Sequence, residues 1–273
     1  MLTPVNFLEE WKACENDMYK NLALLKVRLT NEAIHDMRVD IKKSRAYINL
    51  AEEIEKIKDD QDLIGQTQSL FDILGKHREW SLTLEVVTNL TAQDNALYPL
   101  FNAYIKRAKN GWAKSVKNAL RTYDMKEMDD VGKWIVAIVH QRTSSQLAAE
   151  CANIMRRSVA SLRKLIPHFK SEIHNIRKLL KTILYWINLF PEEGLYNKKQ
   201  VKKVNELLTK LGNWHDQQMV LRKIKNFRKD CLVPSFEEFG ALKKLEDKVT
   251  MERDKIFSKL DPQKVVDALT WTD

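Results

Sequence analysis

The chain has 273 residues, 44% of them hydrophobic and 30% charged, which is the composition of an ordinary globular protein long enough to bury a sizeable core. Its formal net charge is +9, so an anionic partner is expected: nucleic acid, an anionic surface or a polyanion. Cys14, Cys151 and Cys231 are odd in number, far apart and without a C-x-x-C pair, which argues for free thiols and against a disulfide framework or a zinc site.

The most apolar windows, WIVAIVH at 134–140 and LLKTILYWINLF at 179–190, are shorter than the roughly 20 residues that span a bilayer. MLTPVNFLEEWK at the start has no basic segment followed by an apolar one, so no signal peptide is expected. The expectation is a cytoplasmic protein with no membrane segment.

With 7 Gly and 6 Pro, the chain has few turn-formers, and helical periodicity runs nearly throughout. The periodicity predicts an all-α protein of roughly ten to twelve helices. Thr3-Pro4 predicts a helix start, with the helix running to about Leu29. A second helix is predicted from Asn31 to about Lys58, and a third over DLIGQTQSLFDILG, ending near Gly75. TAQD at 91–94 reads as a capping box for a helix through Tyr104 to about Asn110, with Pro99 as a kink or a delayed start. TYDMKEMDDVGKWIVAIVH reads as a loop and then a buried helix. Helices follow from about Gln141 to Leu165 and through SEIHNIRKLLKTILYWINLF until Pro191. NKKQ at 197–200 and SFEE at 235–238 are further capping-box candidates.

The sequence repeats itself. IHDMRVDIKK at 34–43 aligns with IHNIRKLLKT at 173–182, with His35 and His174 separated by 139 residues. LGKHREWSL at 74–82 is echoed by LGNWHDQQM at 211–219, with Gly75 and Gly212 separated by 137 residues. Two matches in the same order at nearly equal offsets predict two similar halves, about 1–135 and 136–273, of a single domain.

At about 100° per residue, His35, Arg38, Lys42 and Arg45 fall within about 80° of one another on their helix. Met37, Ile41, Ser44 and Ile48 lie well round from them and form an apolar seam. In the second copy His174, Arg177, Lys178 and Lys181 share one side, and Ile176, Leu180, Ile183 and Ile187 the other. A solvated face mixes Glu with Lys at i,i+4; these stripes do not. Cations held together without acids imply an anion that neutralises them. Arg offers a bidentate fork to phosphate oxygens, Lys a point charge, and neutral His still donates one N–H.

These residues resemble a known family. HDMRVDIKKSR is similar to the first signature of the CHAD (conserved histidine α-helical) domain, with His35, Arg38, Val39, Lys42, Lys43 and Arg45 in register. HNIRKLLKTILY is similar to the second, through His174, Arg177, Lys178, Lys181 and Tyr185; Thr182 and Leu184 stand where the family has Arg. The two Leu-Gly segments resemble the family's Leu-Gly-x-x-Arg-Asp, with Glu79 for the first Asp and His215 for the second Arg. The resemblance implies two pseudo-symmetric four-helix bundles with a basic groove or pore between them. It also implies binding of inorganic polyphosphate, association with polyphosphate granules, and no catalytic activity, metal or cofactor. The expected binding residues are His35, Arg38, Lys42, Lys43, Arg45, His174, Arg177, Lys178 and Lys181. Arg156 and Arg163, on the helix before the second motif, are expected to face the same groove. The first stripe is expected to bind more strongly than the second.

Two other readings use the same chain. His35-Asp36 and His215-Asp216 are HD dipeptides, as in metal-dependent phosphohydrolases, but Arg38 and Lys42 share His35's face and would repel a cation. A nucleic-acid-binding helical protein fits the charge, with Trp112, Tyr185 and Trp214 available to stack on bases, but no recognised nucleic-acid motif is present.

Overall fold

The structure is a computed structural model that describes residues 4–57, 63–91, 97–190 and 196–269. Among the described residues there are ten α-helices and no strand. They are α1 (Pro4–Val27), α2 (Asn31–Glu55), α3 (Gly65–Leu90), α4 (Pro99–Thr122), α5 (Lys126–His140), α6 (Ser144–Leu165), α7 (Phe169–Ile187), α8 (Lys198–Cys231), α9 (Glu237–Phe257) and α10 (Gln263–Ala268). Among them, none is long and apolar enough to cross a membrane. Cys14 and Cys151 are buried free thiols and Cys231 an exposed one.

Local chemistry explains most of the helix ends. Thr30 caps α2 by accepting from the Ala33 N–H at 3.1 Å. Thr143 and Gln146 form a capping box at α6, and Asn197 and Gln200 form the expected one at α8. Pro99 is the first residue of α4, so it delays the start rather than kinking the helix. Thr3 and Pro191 lie outside the described residues.

Four expectations about helix ends fail for identifiable reasons. Gly75 does not end α3, which continues to Leu90; the glycine is buried against Arg38, and its role is to leave room for that side chain. Thr91 belongs to the end of α3, where its Oγ1 donates to the Val87 carbonyl at 2.8 Å, and 92–94 lie outside the described residues. α4 runs on past Asn110 to Thr122, since Val116 and Leu120 continue its buried side. Ser235 does not cap α9: Phe236 is the N-cap residue. Glu238 turns instead to the start of α4 and accepts from the Leu100 and Phe101 N–H groups at 3.0 and 2.8 Å. Glu127 does the same for α3 through Gln66 and Thr67, at 2.9 and 3.0 Å. A carboxylate from another helix thus satisfies free N–H groups that no local side chain reaches.

The halves repeat a packing order. α1 packs on α2, α2 on α3 and α3 on α4; α6 packs on α7, α7 on α8 and α8 on α9. The apolar core does not part at the middle of the chain. The larger core joins Met37 and Ile41 of α2 to Ile176, Leu180 and Ile183 of α7. A smaller core joins Val87 of α3 and Phe101 and Ile105 of α4 to Val220 and Ile224 of α8 and Leu242 of α9. The two motif helices therefore meet directly, and the Trp186 indole N–H donates to the Ala46 carbonyl at 2.6 Å across their buried contact. Burying each aliphatic side chain contributes about 1.5–3 kcal/mol, which offsets the cost of desolvating the cations beside them.

Candidate functional site: a basic seam between α2 and α7

Met37, Ile41, Ser44 and Ile48 are all buried, as are Ile176, Leu180, Ile183 and Ile187, so the stripes beside them are held in fixed positions. Lys42 of α2 is the most perturbed cation. Burial pushes its pKa down to about 7, and Lys181, Arg38 and Arg177 push the same way. Lys181 of α7 is pushed down to about 8, by burial first and then by Arg177, with Arg38 adding to it. Four cations from two repeat-related helices thus act on one another at one place.

α3 and α8 complete the locus. Burial lowers the pKa of His35, and Arg78 of α3 is the next cause. The Asp216 carboxyl of α8 is pushed up by burial, while Arg177, Arg78, Lys181 and Lys42 pull it down. One half-buried carboxylate is therefore shared among four cations. Glu79, the counterpart of Asp216 in the repeat, is engaged by Lys223 at 3.3 Å and Lys76 at 3.9 Å. Burial also pushes His215 down to about 4, with Arg177 and His174 adding to it, so this imidazole is neutral at pH 7.

The two arginines are seated differently. The Arg38 Nη1–H donates to the Phe71 carbonyl, and the guanidinium lies 4.0 Å from the Phe71 ring centroid. A Cβ at Gly75 would stand 2.5 Å from Arg38 Nη1. Arg177 has looser surroundings: a Cβ at Gly212 would stand 3.9 Å from its Nη2. Its Nε is buried and has no hydrogen-bond partner. A buried donor without a partner is costly, and an acceptor brought by a ligand would relieve it.

The model of the CHAD domain matches residues 11–224, a span that contains both motif helices and both Leu-Gly segments. The chain belongs to the CHAD domain family. Its fold is similar to that of the crystal structure of the CHAD domain from the plant Ricinus communis, with a TM-score of 0.75 and 18% identity over 98% of this chain and 92% of that one. No curated protein matches the sequence.

Within this CHAD domain the structure gathers His35, Arg38, Lys42, Arg177 and Lys181. Arg45, His174 and Lys178 are exposed at the margin: Arg45 lies 5.7 Å from the Phe71 ring, and the His174 ring is 5.9 Å from that of His215. Burial lowers the pKa of His174, with Lys178 and Arg177 next. Lys43 faces the other way, towards α1, where it pairs with Glu10 at 3.1 Å; it is one residue off the stripe, so the helix carries it round by about 100°. Arg156 bonds Asn153 at 2.8 Å, and Arg163 acts on Tyr196 before the start of α8; neither is among the charges acting on Lys42 or Lys181.

Arg78 and Asp216 are part of the CHAD seam, although the sequence does not single them out as binding residues. Their signal is the Leu-Gly-x-x-Arg-Asp segment, which supplies Arg78 in one copy and Asp216 in the other. Among the described residues, no group of three or more His, Cys, Asp or Glu side chains could hold a metal ion.

Proposed function

We propose that this CHAD domain binds inorganic polyphosphate along the α2–α7 seam and performs no chemistry on it. The observation that carries the reading is the crowding of Arg177, Arg78, Lys181 and Lys42 around the carboxylate of Asp216, with Arg38 acting on both lysines. Such a cluster is starved of counter-charge. A polymer with about one negative charge per phosphate supplies it at regular intervals and releases its own counterions on binding. His35 and His174, their pKa values lowered, stay neutral and donate hydrogen bonds without adding repulsion. Two of the three candidate stacking aromatics favour polyphosphate over nucleic acid, because Trp214 and Tyr185 pack against the larger apolar core. On this reading the protein attaches to polyphosphate granules in the cytoplasm.

Calorimetric titration tests the proposal, with long-chain polyphosphate, RNA and DNA compared at equal phosphate concentration and fixed salt. Polyphosphate is expected to bind and to resist displacement by RNA and DNA. The double variant Arg38→Ala/Arg177→Ala is expected to lose most of that binding and part of its salt dependence. Displacement by RNA would assign the seam to nucleic acid. Release of inorganic phosphate from the bound polymer, lost in an Asp216→Asn variant, would make it an enzyme.

A further inference from the structure

Outside the seam, α4 carries a stripe of unneutralised charge. α4 carries Lys106, Arg107, Lys109, Lys114, Lys117 and Arg121 and no acidic residue. All but Lys109 fall within about 100° of one another, along about 22 Å of helix. The buried Phe101, Ile105, Val116 and Leu120 occupy the other side. The five cations of the stripe are exposed, and among the described residues none is within ion-pair distance of a carboxylate. Lys109 sits apart and acts on His77 of α3.

α9 shows how this fold builds an ordinary solvated face. It has the place on α8 that α4 has on α3. It mixes acids and bases: Glu246 pairs with Lys225 at 3.5 Å and Arg228 at 3.0 Å, and Asp254 with Arg253 at 2.7 Å. The related position on α4 has cations alone, at a repulsive cost that an external anion would remove.

We propose that the outer face of α4 is a second polyanion-binding surface, an open track for polyphosphate chain that extends beyond the α2–α7 seam. The proposal rests on the polyphosphate reading of the seam. α4 packs along α3, and α3 presents Arg78 to the seam, so track and seam lie on helices in contact. A narrow stripe matches a linear polymer better than a plane of lipid headgroups. No aromatic side chain lies within the stripe's arc for a base to stack on, which favours polyphosphate over RNA. Because its charges are exposed, the track adds affinity and chain-length preference, with a steep salt dependence.

The test compares long-chain polyphosphate with tripolyphosphate, which is too short to leave the seam. The protein used is the full chain carrying Lys106→Gln, Arg107→Gln, Lys114→Gln and Lys117→Gln. By calorimetry at about 0.1 M salt, long-chain affinity is expected to fall at least tenfold, and the slope of log K against log salt to become shallower by about 3. Tripolyphosphate affinity is expected to stay within about twofold. A charge-keeping variant, with each Lys→Arg and Arg107→Lys, is expected to retain long-chain binding; this separates charge from folding. Unchanged long-chain binding overturns the track, as does an equal loss for both ligands. Loss of binding to RNA or anionic vesicles with polyphosphate binding intact also overturns it and assigns the face to another partner. If the unaltered protein binds neither phosphate ligand, the seam reading has failed as well, an outcome distinct from all of these.

Discussion

The α2/α3 half and the α7/α8 half carry the same His-x-x-Arg-x-x-x-Lys frame but use its arginine differently. Arg38 is tied to the Phe71 carbonyl, laid against the Phe71 ring and pressed against Gly75. Arg177 is not pressed against Gly212, where a Cβ would stand at an ordinary contact distance of 3.9 Å, and it has a buried Nε with no partner. The repeat thus seats its two guanidiniums differently: one is fixed against a neighbouring helix, and the other has a buried donor without a partner. The sequence favours the first half as the stronger binder, because Lys43 and Arg45 stand where the second has Thr182 and Leu184. In the structure Lys43 belongs to Glu10, and that part of the advantage goes.

The largest expected difference is between the single arginine variants. A hydrogen bond to a charged group is worth about 1.5–3 kcal/mol, so Arg177→Ala is expected to weaken polyphosphate binding by about 10- to 100-fold. Its thermal stability should change less than that of Arg38→Ala, since the variant loses a buried unpaired Nε and relieves the crowding of Lys42 and Lys181, which offsets the charge taken from beside Asp216. Arg38→Ala removes the guanidinium's bond to the Phe71 carbonyl and leaves a gap over the Phe71 ring, and is expected to destabilise the fold by about 2 kcal/mol. Calorimetry and thermal unfolding on the same two proteins separate the roles. Equal binding losses with equal stability losses would erase the difference between the halves.

The glycines sharpen the same contrast with opposite signs. Gly75→Ala must displace a guanidinium that is bonded and stacked, and overpacking of this kind costs about 1–3 kcal/mol. Gly212→Ala places its methyl group at ordinary contact distance, 3.9 Å from Arg177, in the middle of α8. Alanine is the better helix former by about 0.8–1 kcal/mol, so this variant is expected to be more stable than the parent. Denaturant unfolding of both variants checks the pair of signs.

How far the sequence carries can be read from these residues. Helix identity was legible, because Met37, Ile41, Ile176 and Leu180 keep the helical period and all are buried. Capping boxes were legible only where the cap is local: Asn197 was, but Glu238 serves a helix more than a hundred residues earlier in the chain. Gly75 misled because a glycine at a helix end and a glycine under a packed arginine look alike in one dimension. The stripe cations Arg38, Lys42, Arg177 and Lys181 were legible from spacing. Asp216, a half-buried acid, is not legible as part of the site, because its meaning comes from the cations on three other helices.

The smallest expected effect is a pH dependence that differs between the two lysines. An unfolded lysine titrates near 10.4, whereas Lys42 is held at about 7 and Lys181 at about 8 by burial first and by the neighbouring cations. Between those values the unfolded chain binds more protons than the folded one, so these groups make the ligand-free protein less stable as pH falls towards 7. On the proposed function polyphosphate favours the protonated forms, so affinity is expected to move the other way and rise as pH falls. If the complex keeps both lysines charged, lowering the pH from 8 to 7 strengthens binding about fivefold through Lys42 and about twofold through Lys181. His35 and Asp216 face the same locus, so the comparison is made between variants rather than from one curve. Lys42→Met is expected to remove most of the pH dependence between 7 and 8 and to raise the unfolding temperature of the ligand-free protein. Lys181→Met is expected to remove the smaller part. Identical pH profiles for the two variants would show that the halves share their charge evenly at the seam.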